Sequence, residues 1–580
     1  MIRIVRHVAL AAVVAALAAP AVTAQSYPAG GDPRDGLGSG LTTAGLAMEG
    51  MRLVASAPKP APFDSVRGLT FVNSDLAFGG HYIYQGNFAG FSIWDVSTPA
   101  NPRMVSVVEC ITSQGDPSIV GNLLFVSAEG GGNRNDCAKG GVQDPSEHMA
   151  GVRIYDVSDP TMPRLLKNVQ TCKGSHTHTV IPDPKDDGVV YIYISGNQGA
   201  RTDMEGCVSG DDPADENNSL FRLDVIRVPL ANPEQAAVVT GARIFTGLDP
   251  APSRSGGRAR PTGPRNCHDV TAYPAMHLLA GACASHGLLV DISDPMRPKR
   301  LDAAADTNFS LWHTAVFSND GSKVVFTDEW GGGTSPMCQA TSMLEMGGNT
   351  TLTIKDGKYT QHAYFKIPTG QAANENCVSH NGGLVPVPGR DIMVQGWYQG
   401  GVNVIDFTDP DRPIEIAYFD RGPIDAPRAP GDTAARGRGT IGGSWGAYWY
   451  NGLIYSSEMA RGLDILELQP SHYLSANELE AARLVRYEQY NPQSQPHITW
   501  PAAFPVVRSY VDQLERGNGL PATRITAIRR ALDGAEQASG AARARSLRTL
   551  AGQLEGDVAR ATDKARVRAL AAEVVRLAGN

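Results

Sequence analysis

An all-β chain of repeated four-stranded sheets, finished by an α-helical segment, is the fold class this sequence predicts, and three observations predict it. The first is a phrase written four times: Ile-Trp-Asp-Val-Ser-Thr-Pro at 93–99, Ile-Tyr-Asp-Val-Ser-Asp-Pro at 154–160, Val-Asp-Ile-Ser-Asp-Pro at 290–295 and Ile-Asp-Phe-Thr-Asp-Pro at 405–410. Each copy is a β-branched run stopped by short polar side chains that capture backbone groups in a turn, with prolines that cannot donate to a ladder. The second is a hairpin upstream of each copy, as at 313–327, where Asn319-Asp320-Gly321 divides two apolar stretches. The third is helical periodicity confined to the tail, in Leu547, Leu550, Leu554 and Val558 and again in Val567, Leu570, Val574 and Leu577.

The elements follow in chain order. Arg3 and Arg6 precede an apolar run, Val8 to Ala19, and the small residues Val22-Thr23-Ala24 stand before Gln25, which reads residues 1–24 as a secretory signal. The Gly, Pro, Ala and Ser composition of residues 25–65 reads as a flexible linker. Residues 66–470 carry the repeats. Weaker copies of the phrase at Leu223 to Pro229, Ala363 to Pro368 and Leu463 to Leu468 bring the count to seven. Strand, hairpin, strand, glycine-rich loop, phrase strand and outer strand make the four-stranded blade of a propeller, so a seven-bladed β-propeller is expected. Residues 471–580 are expected to be helical, with Ser475 and Glu478 as a capping box, packed on the propeller or used for a partner.

The phrase resembles the LVIVD repeat of secreted bacterial and archaeal surface proteins, a β-propeller family. The resemblance spans about residues 66–470 and implies architecture; it implies no activity. Chemistry has to come from the residues.

Counting back about six residues from the first hairpin turn of four successive repeats lands on His176, His268, His313 and His380. First strands of propeller blades line the central channel, so equivalent histidines are expected at one height. Converging imidazoles with carboxylates behind them suit a divalent transition metal, and Fe, Cu, Zn or Mn are all admissible for such ligands. The competing reading makes each histidine a hydrogen-bonding partner for a neighbouring blade or a channel water. His178, two positions beyond His176 on the same side of a strand, is a substitute ligand or a partner within its blade.

Second strands return to the same face and offer Glu129, His286, Asp328, Glu329, Tyr398 and Glu458, of which Glu129, Glu329 and Glu458 are the candidate catalytic or supporting carboxylates. Glu129 and Glu329 stand just before Gly-Gly-Gly and Trp-Gly-Gly-Gly, where a backbone can approach a ligand. Trp330, Trp397, Tyr398 and Trp445 make either an aromatic wall or inter-blade core, two of the four being assigned to core. Gly442-Gly443-Ser444-Trp445-Gly446 matches the nucleophile-elbow pattern literally but is followed by strand rather than helix. The acidic loop with Asp211, Asp212, Asp215 and Glu216 lacks the spacing of a calcium loop.

Eight cysteines in an exported chain suit disulfides. The repeat alignment pairs them in succession, Cys110 with Cys137, Cys172 with Cys207, Cys267 with Cys283 and Cys338 with Cys377. That pairing staples the insertions at 129–150, 196–219 and 330–360 over the histidine face. The net charge of −8 argues against nucleic acid as a partner. Beyond the signal no stretch is apolar and long enough to span a bilayer. From His472 onward fifteen Lys and Arg face eleven Asp and Glu, a basic tail on an acidic body.

Two function classes stand. One is an exported binding or scaffold propeller, periplasmic, cell-surface or secreted, for an unidentified small molecule or envelope protein. The other is a metal-dependent oxidoreductase or hydrolase using the histidine ring. No dinucleotide, phosphate-loop or haem-attachment motif supplies a substrate signature.

Overall fold

A computed structural model describes residues 31–63, 72–130, 132–142, 144–252, 264–424 and 441–579. The expected signal at 1–24 lies outside them.

The chain is mostly β and propeller-type. Four sheets have four strands in chain order, running from Pro117–Val120 to Arg164–Gln170, Thr177–Pro182 to Ala237–Ala242, Asp269–Tyr273 to Lys299–Ala304 and Trp312–Phe317 to Lys358–Phe365. The sheet from Asn73–Gly79 to Arg103–Glu109 gains a short fifth strand, Gln489–Tyr490, on its inner edge. The remaining strands form one nine-stranded sheet. Its two halves meet where Asn381 and Gly382 pair in parallel with Gly446 and Ala447. First strands neighbour one another around a ring that closes from Ser444–Tyr450 back to Asn73–Gly79.

Apolar faces explain the ring. A twisted sheet with two apolar faces is stable only between neighbours, and each core is shared by successive sheets. Phe91 and Ile93 meet Ile119 and Val126, and Phe78 and Trp94 meet Tyr448 and Ile465 across the closure.

The repeated phrase works as its chemistry demands. Asp95, Asp156, Asp291 and Asp406 each end a strand and accept the amide two residues on, from Ser97, Ser158, Ser293 and Thr408, at 2.8–2.9 Å. These are Asx turns, and they fix the chain reversal before the outer strand.

Two stretches depart from the sequence reading. Residues 46–58, inside the span expected to be linker, form the strands Leu46–Glu49 and Met51–Pro58, which flank the two ends of the nine-stranded sheet. Met51–Pro58 supplies the outer strand beside Gly462–Leu468, so the fourth strand of that unit comes from the far end of the chain. The expected phrase copy at Ala363 to Pro368 is displaced as well: the third strand there is Asn349–Lys355, and Ala363 lies in the outer strand Lys358–Phe365. Between them Asp356 and Gly357, both at positive φ, replace the Asp-Pro turn with a tight hairpin.

The tail is helical, with α1 Ala476–Arg483, α2 Phe504–Arg516, α3 Ala522–Gln537, α4 Gly540–Asp557 and α5 Lys564–Gly579. Ser475 and Glu478 form the capping box of α1. Leu474, Leu479 and Ala482 pack with Val385, Ile392 and Leu466, which docks the tail on the sheets, and α2 to α5 share a core of their own. All four expected cysteine pairs lie at disulfide distance. No helix among the described residues is long and apolar enough to cross a membrane.

Candidate metal centre

The four histidines stand in one register. His176, His268 and His380 immediately precede first strands, and their amides donate to Ser195, Ala282 and Gly396 on the second strands at 2.8, 2.8 and 3.1 Å. His313 is the second residue of its strand. Threonines tie the row sideways: Thr177 Oγ1 donates to the His268 carbonyl at 2.8 Å and Thr271 Oγ1 to the Ala315 carbonyl at 2.8 Å. Adjacent first strands are thus tied at the histidine row by threonine hydroxyls donating to backbone carbonyls.

The side chains converge. Ring centroids are 4.4 Å apart for His176 and His268, 3.8 Å for His268 and His313, and 4.1 Å for His313 and His380. Glu329, one residue beyond the second strand of its sheet, reaches over three of them. Its Oε2 lies 3.9 Å from His268 Nε2 and 3.7 Å from His313 Nε2, and its Oε1 lies 3.8 Å from His380 Nε2. Metal bonds of about 2.0–2.2 Å set neighbouring ligand atoms about 3–4 Å apart, and these separations match. His268, His313 and Glu329 can each offer one ligand atom within 4.8 Å of the others.

His176 is placed differently. Its Nδ1 bonds the Glu129 carboxylate, and its Nε2 lies 2.7 Å from His268 Nε2, one ring donating and the other accepting. That is closer than two ligand atoms on one ion sit. His176 and Glu129 thus form a pair behind His268, apart from His313 and Glu329; His380 meets Glu329 through its other oxygen and lies outside the group of three. Nδ1 of His268 faces Asp269 Oδ1 at 3.1 Å and Nδ1 of His380 donates to the Trp445 carbonyl, which turns His268 Nε2 toward His176 and Glu329 and His380 Nε2 toward Glu329.

His313 has the least ordinary surroundings. It is fully buried, and neither ring nitrogen has a hydrogen-bond partner among the described residues. Burial, then the neighbouring imidazoles, hold it far below the usual histidine range. His380 is pushed down to about 3, first by burial. Both are neutral near pH 7, the form that binds metal. Burial opposes protonation of His176, but the charge and hydrogen bond of Glu129, with Asp116 and Asp269, raise it to about 9. Burial also raises Glu329, against the pull of His268 and the Tyr398 hydroxyl, which donates to Oε1 at 2.5 Å.

The loop after Glu329 packs closely. Gly333, at φ 71°, passes so near the Glu329–Tyr398 pair that a Cβ would sit 2.4 Å from the phenol oxygen and 2.7 Å from Oε1. Tyr398 and Trp445 flank the His380 ring at 4.5 and 4.7 Å, and Val72, Val378 and Met459 complete an apolar patch with Trp330 at its margin. Trp397 turns into the inter-sheet core beside Phe365, Met393 and Phe407.

Three expected face residues are engaged elsewhere. Glu458 accepts from the Gly443 and Ala460 amides at 2.9 Å, from the Arg461 amide and from the Arg461 guanidinium at 3.0 Å, which makes it a loop latch. Asp328 caps the Ser310, Leu311 and Gly347 amides. His178 bonds Ser127 of the preceding sheet at 2.8 Å through Nδ1, a link between blades rather than within one.

A second row was missed. One residue beyond each histidine position come Thr177, Asp269, Thr314 and Asn381, while Asp75 in the first strand Asn73–Gly79 and Asp116 just before the first strand Pro117–Val120 join them from other sheets. Asp116 and Asp269 are buried, each with one oxygen lacking a partner. Burial, with Asp75 and Asp269 nearby, raises Asp116 well above the carboxylate range, whereas His268 outweighs burial and lowers Asp269. The histidine alignment, read one residue further, contained this signal.

The LVIVD repeat family matches the chain over residues 73–109. Nothing among curated proteins matches it. Solved structures with propeller-like likeness include a putative 6-phosphogluconolactonase from Bacteroides uniformis, 13% identical over 66% of this chain and 89% of that one with TM-score 0.36. Hydrazine synthase from Kuenenia stuttgartiensis is 12% identical over 65% of this chain and 89% of that one with TM-score 0.38. The Dos1 propeller is 12% identical over 69% and 79% with TM-score 0.38. Such distant likeness says nothing of function.

Proposed function

We propose that this chain is an exported, seven-bladed propeller that binds a divalent transition metal through His268, His313, His380 and Glu329, with His176 and Glu129 as the supporting pair. The single observation that carries the metal reading is His313, wholly buried, with neither ring nitrogen partnered among the described residues and 3.7 Å from Glu329. A buried polar group without a partner costs about 1–3 kcal/mol, and a metal bond removes that cost at Nε2. Fe, Cu, Zn and Mn all accept three imidazoles and a carboxylate. Division of the nine-stranded sheet at its short parallel junction supports the blade count. The disulfide-distance pairs support export.

An enzymatic role, oxidoreductase or hydrolase, draws support from the Glu129–His176 pair, an acid–base group 2.7 Å from a ligand imidazole. Elemental analysis of protein exported to the periplasm and purified without chelator tests the metal reading. We expect about one equivalent of metal, lost when His268 and His313 are both replaced by alanine. Wild-type protein that is metal-free and refuses Co(II) and Zn(II) overturns it.

A further inference from the structure

A strap crosses the channel on the side away from the histidines. Between α1 and α2 the chain alternates Gln489, Asn491, Gln493 and Gln495 with other residues; the carboxamides of Asn491, Gln493 and Gln495 engage first strands of three sheets, and that of Gln489 the Gly121 turn. Asn491 bonds both backbone groups of Ile119, accepting from the amide at 2.7 Å and donating to the carbonyl at 2.8 Å. Gln495 does the same to Phe317, at 3.0 and 3.1 Å. Backbone of Gln493 and Gln495 brackets Ala272, at 2.8 Å each way, and Gln489–Tyr490 pairs with Phe78–Gly79. Ile498 and Asn319 exchange two more bonds.

The physical reason is the inner edge of a propeller. First strands leave backbone donors and acceptors facing the channel, and a carboxamide carries one of each in the geometry of a peptide. Ala272 is four residues beyond His268, and Phe317 four beyond His313. At about 3.3 Å per residue the strap therefore lies about 13 Å below the imidazole row.

One strap side chain reaches back toward that row. Gln493, buried, donates to Asp75 Oδ2 at 3.0 Å, and the same oxygen accepts from Asn381 at 3.1 Å. Asp75 Oδ1 accepts from Tyr448 at 2.5 Å and from the Leu76 amide at 2.8 Å. Asn381 follows His380 in the chain and pairs with Gly446, the neighbour of the Trp445 whose carbonyl orients His380. Asp75 is the joint at which the strap, the strand after His380 and the strand of Trp445 meet.

We propose that the strap Gln489–Ile498 is the floor of the histidine pocket, closing the channel behind the site, and that Gln493 is a positioning residue for the metal centre, acting through Asp75 and Asn381 on His380. The proposal rests on the metal reading for its second half. Ligands then reach the centre from the face of the cysteine-stapled loops alone.

The test uses the full-length chain, Co(II) as probe, and the variants Gln493→Leu and Gln495→Leu. Each removes one strap carboxamide, and only the first touches Asp75. We expect Gln493→Leu to weaken Co(II) binding about tenfold, the low end for loss of an outer contact to a ligand set, and to shift the visible Co(II) bands. Gln495→Leu should leave affinity within about twofold and instead speed amide exchange at Phe317 and Ala272. If Gln493→Leu does not fold, Gln493→Asn keeps the amide one methylene short and should fall between wild type and the tenfold loss. Wild-type affinity and bands in whichever Gln493 variant folds overturn the positioning role. Fast exchange at Ile119, Ala272 and Phe317 in the wild type overturns the floor, whatever the metal does. A wild type that takes up no Co(II) while those amides stay protected overturns the metal reading and the positioning role and leaves the floor.

Discussion

Replacing His313 by leucine should separate a ligand from a packing histidine, because the two roles give opposite results in one protein. Among the described residues His313 makes no hydrogen bond, so leucine deletes no partnered interaction there and removes two buried nitrogens. Unsatisfied buried groups cost about 1–3 kcal/mol each, and exchange for an apolar side chain of similar size is neutral or favourable. The chelator-treated variant should therefore unfold in urea within about 1 kcal/mol of wild type, or above it. Metal binding should respond in the other direction. Apparent free energies for four-ligand structural zinc sites run to about 10–16 kcal/mol, so one ligand of four accounts for about 2.5–4 kcal/mol, a loss of roughly 10² to 10³ in affinity. The assay is competitive Zn(II) titration against a chromophoric chelator, run beside urea unfolding of the chelated protein. Wild-type affinity in His313→Leu, or destabilisation of the chelated protein by more than about 3 kcal/mol, refutes the reasoning.

Three further outcomes follow from other parts of the chain. Glu478 is held below the usual carboxylate range: burial opposes this, but the hydrogen bond from Arg516 and the charges of Arg390 and Arg516 outweigh it. Its folded pKa lies below its unfolded value, so its contribution is whole above about pH 4.5 and fades as pH falls through the folded value. Urea unfolding at pH 7 should show Glu478→Gln weaker by about 3 kcal/mol, the scale of breaking a buried pair, with the gap narrowing toward pH 3. Replacing Cys338 and Cys377 by serine reopens a loop with sequence separation 39, which chain entropy values at about 4 kcal/mol, and frees the segment that follows Glu329. Both the thermal midpoint and Co(II) affinity should fall, and an unchanged midpoint contradicts the stapling role. Deleting residues 31–58 exposes the edge of Gly462–Leu468, which Met51–Pro58 covers, and should add aggregates, seen by light scattering, that the full chain does not form.

Much of this architecture was legible because the repeated phrase encodes a local event. An Asp that captures an amide two residues on needs nothing from the rest of the chain, so Asp95, Asp156, Asp291 and Asp406 announce their turns in sequence. Met51–Pro58 announces nothing: its residues are mostly small, and it becomes a strand only by pairing with residues 462–468, some four hundred positions away. The strap was illegible for a related reason. Alternating Gln and Asn between prolines reads as loop until the strand edges it bridges are in place. Within the site, equivalent positions carried the histidines, whereas Glu458 was misjudged because its partner lies three residues ahead in Arg461, a loop contact that strand counting does not see.

The ring geometry explains why the four histidines crowd together at one end of the channel. Repeats in a closed ring turn a shared alignment position into a polygon, so neighbours on successive strands are forced into contact. That contact is what sets His176 against His268 at 2.7 Å and His313 between His268 and His380. Differences must then come from outside the row. Asp269 and the Trp445 carbonyl each take one nitrogen of a flanking ring and direct the other inward, Glu129 draws His176 away, and His313 receives nothing. In the row below, Asp269, held ionised by His268, adds negative charge; neither it nor Asp116 has a Lys or Arg in hydrogen-bonding contact among the described residues, and Asp75 directs its oxygens to the strap and two neighbouring strands. The neutral imidazoles of His313 and His380 beside an ionised Asp269 favour a cation over an anion at the same point, because lone pairs and negative charge both attract it. In the proposed centre His268, His313, His380 and Glu329 would hold an ion from one side, leaving the face beneath the stapled loops for a ligand.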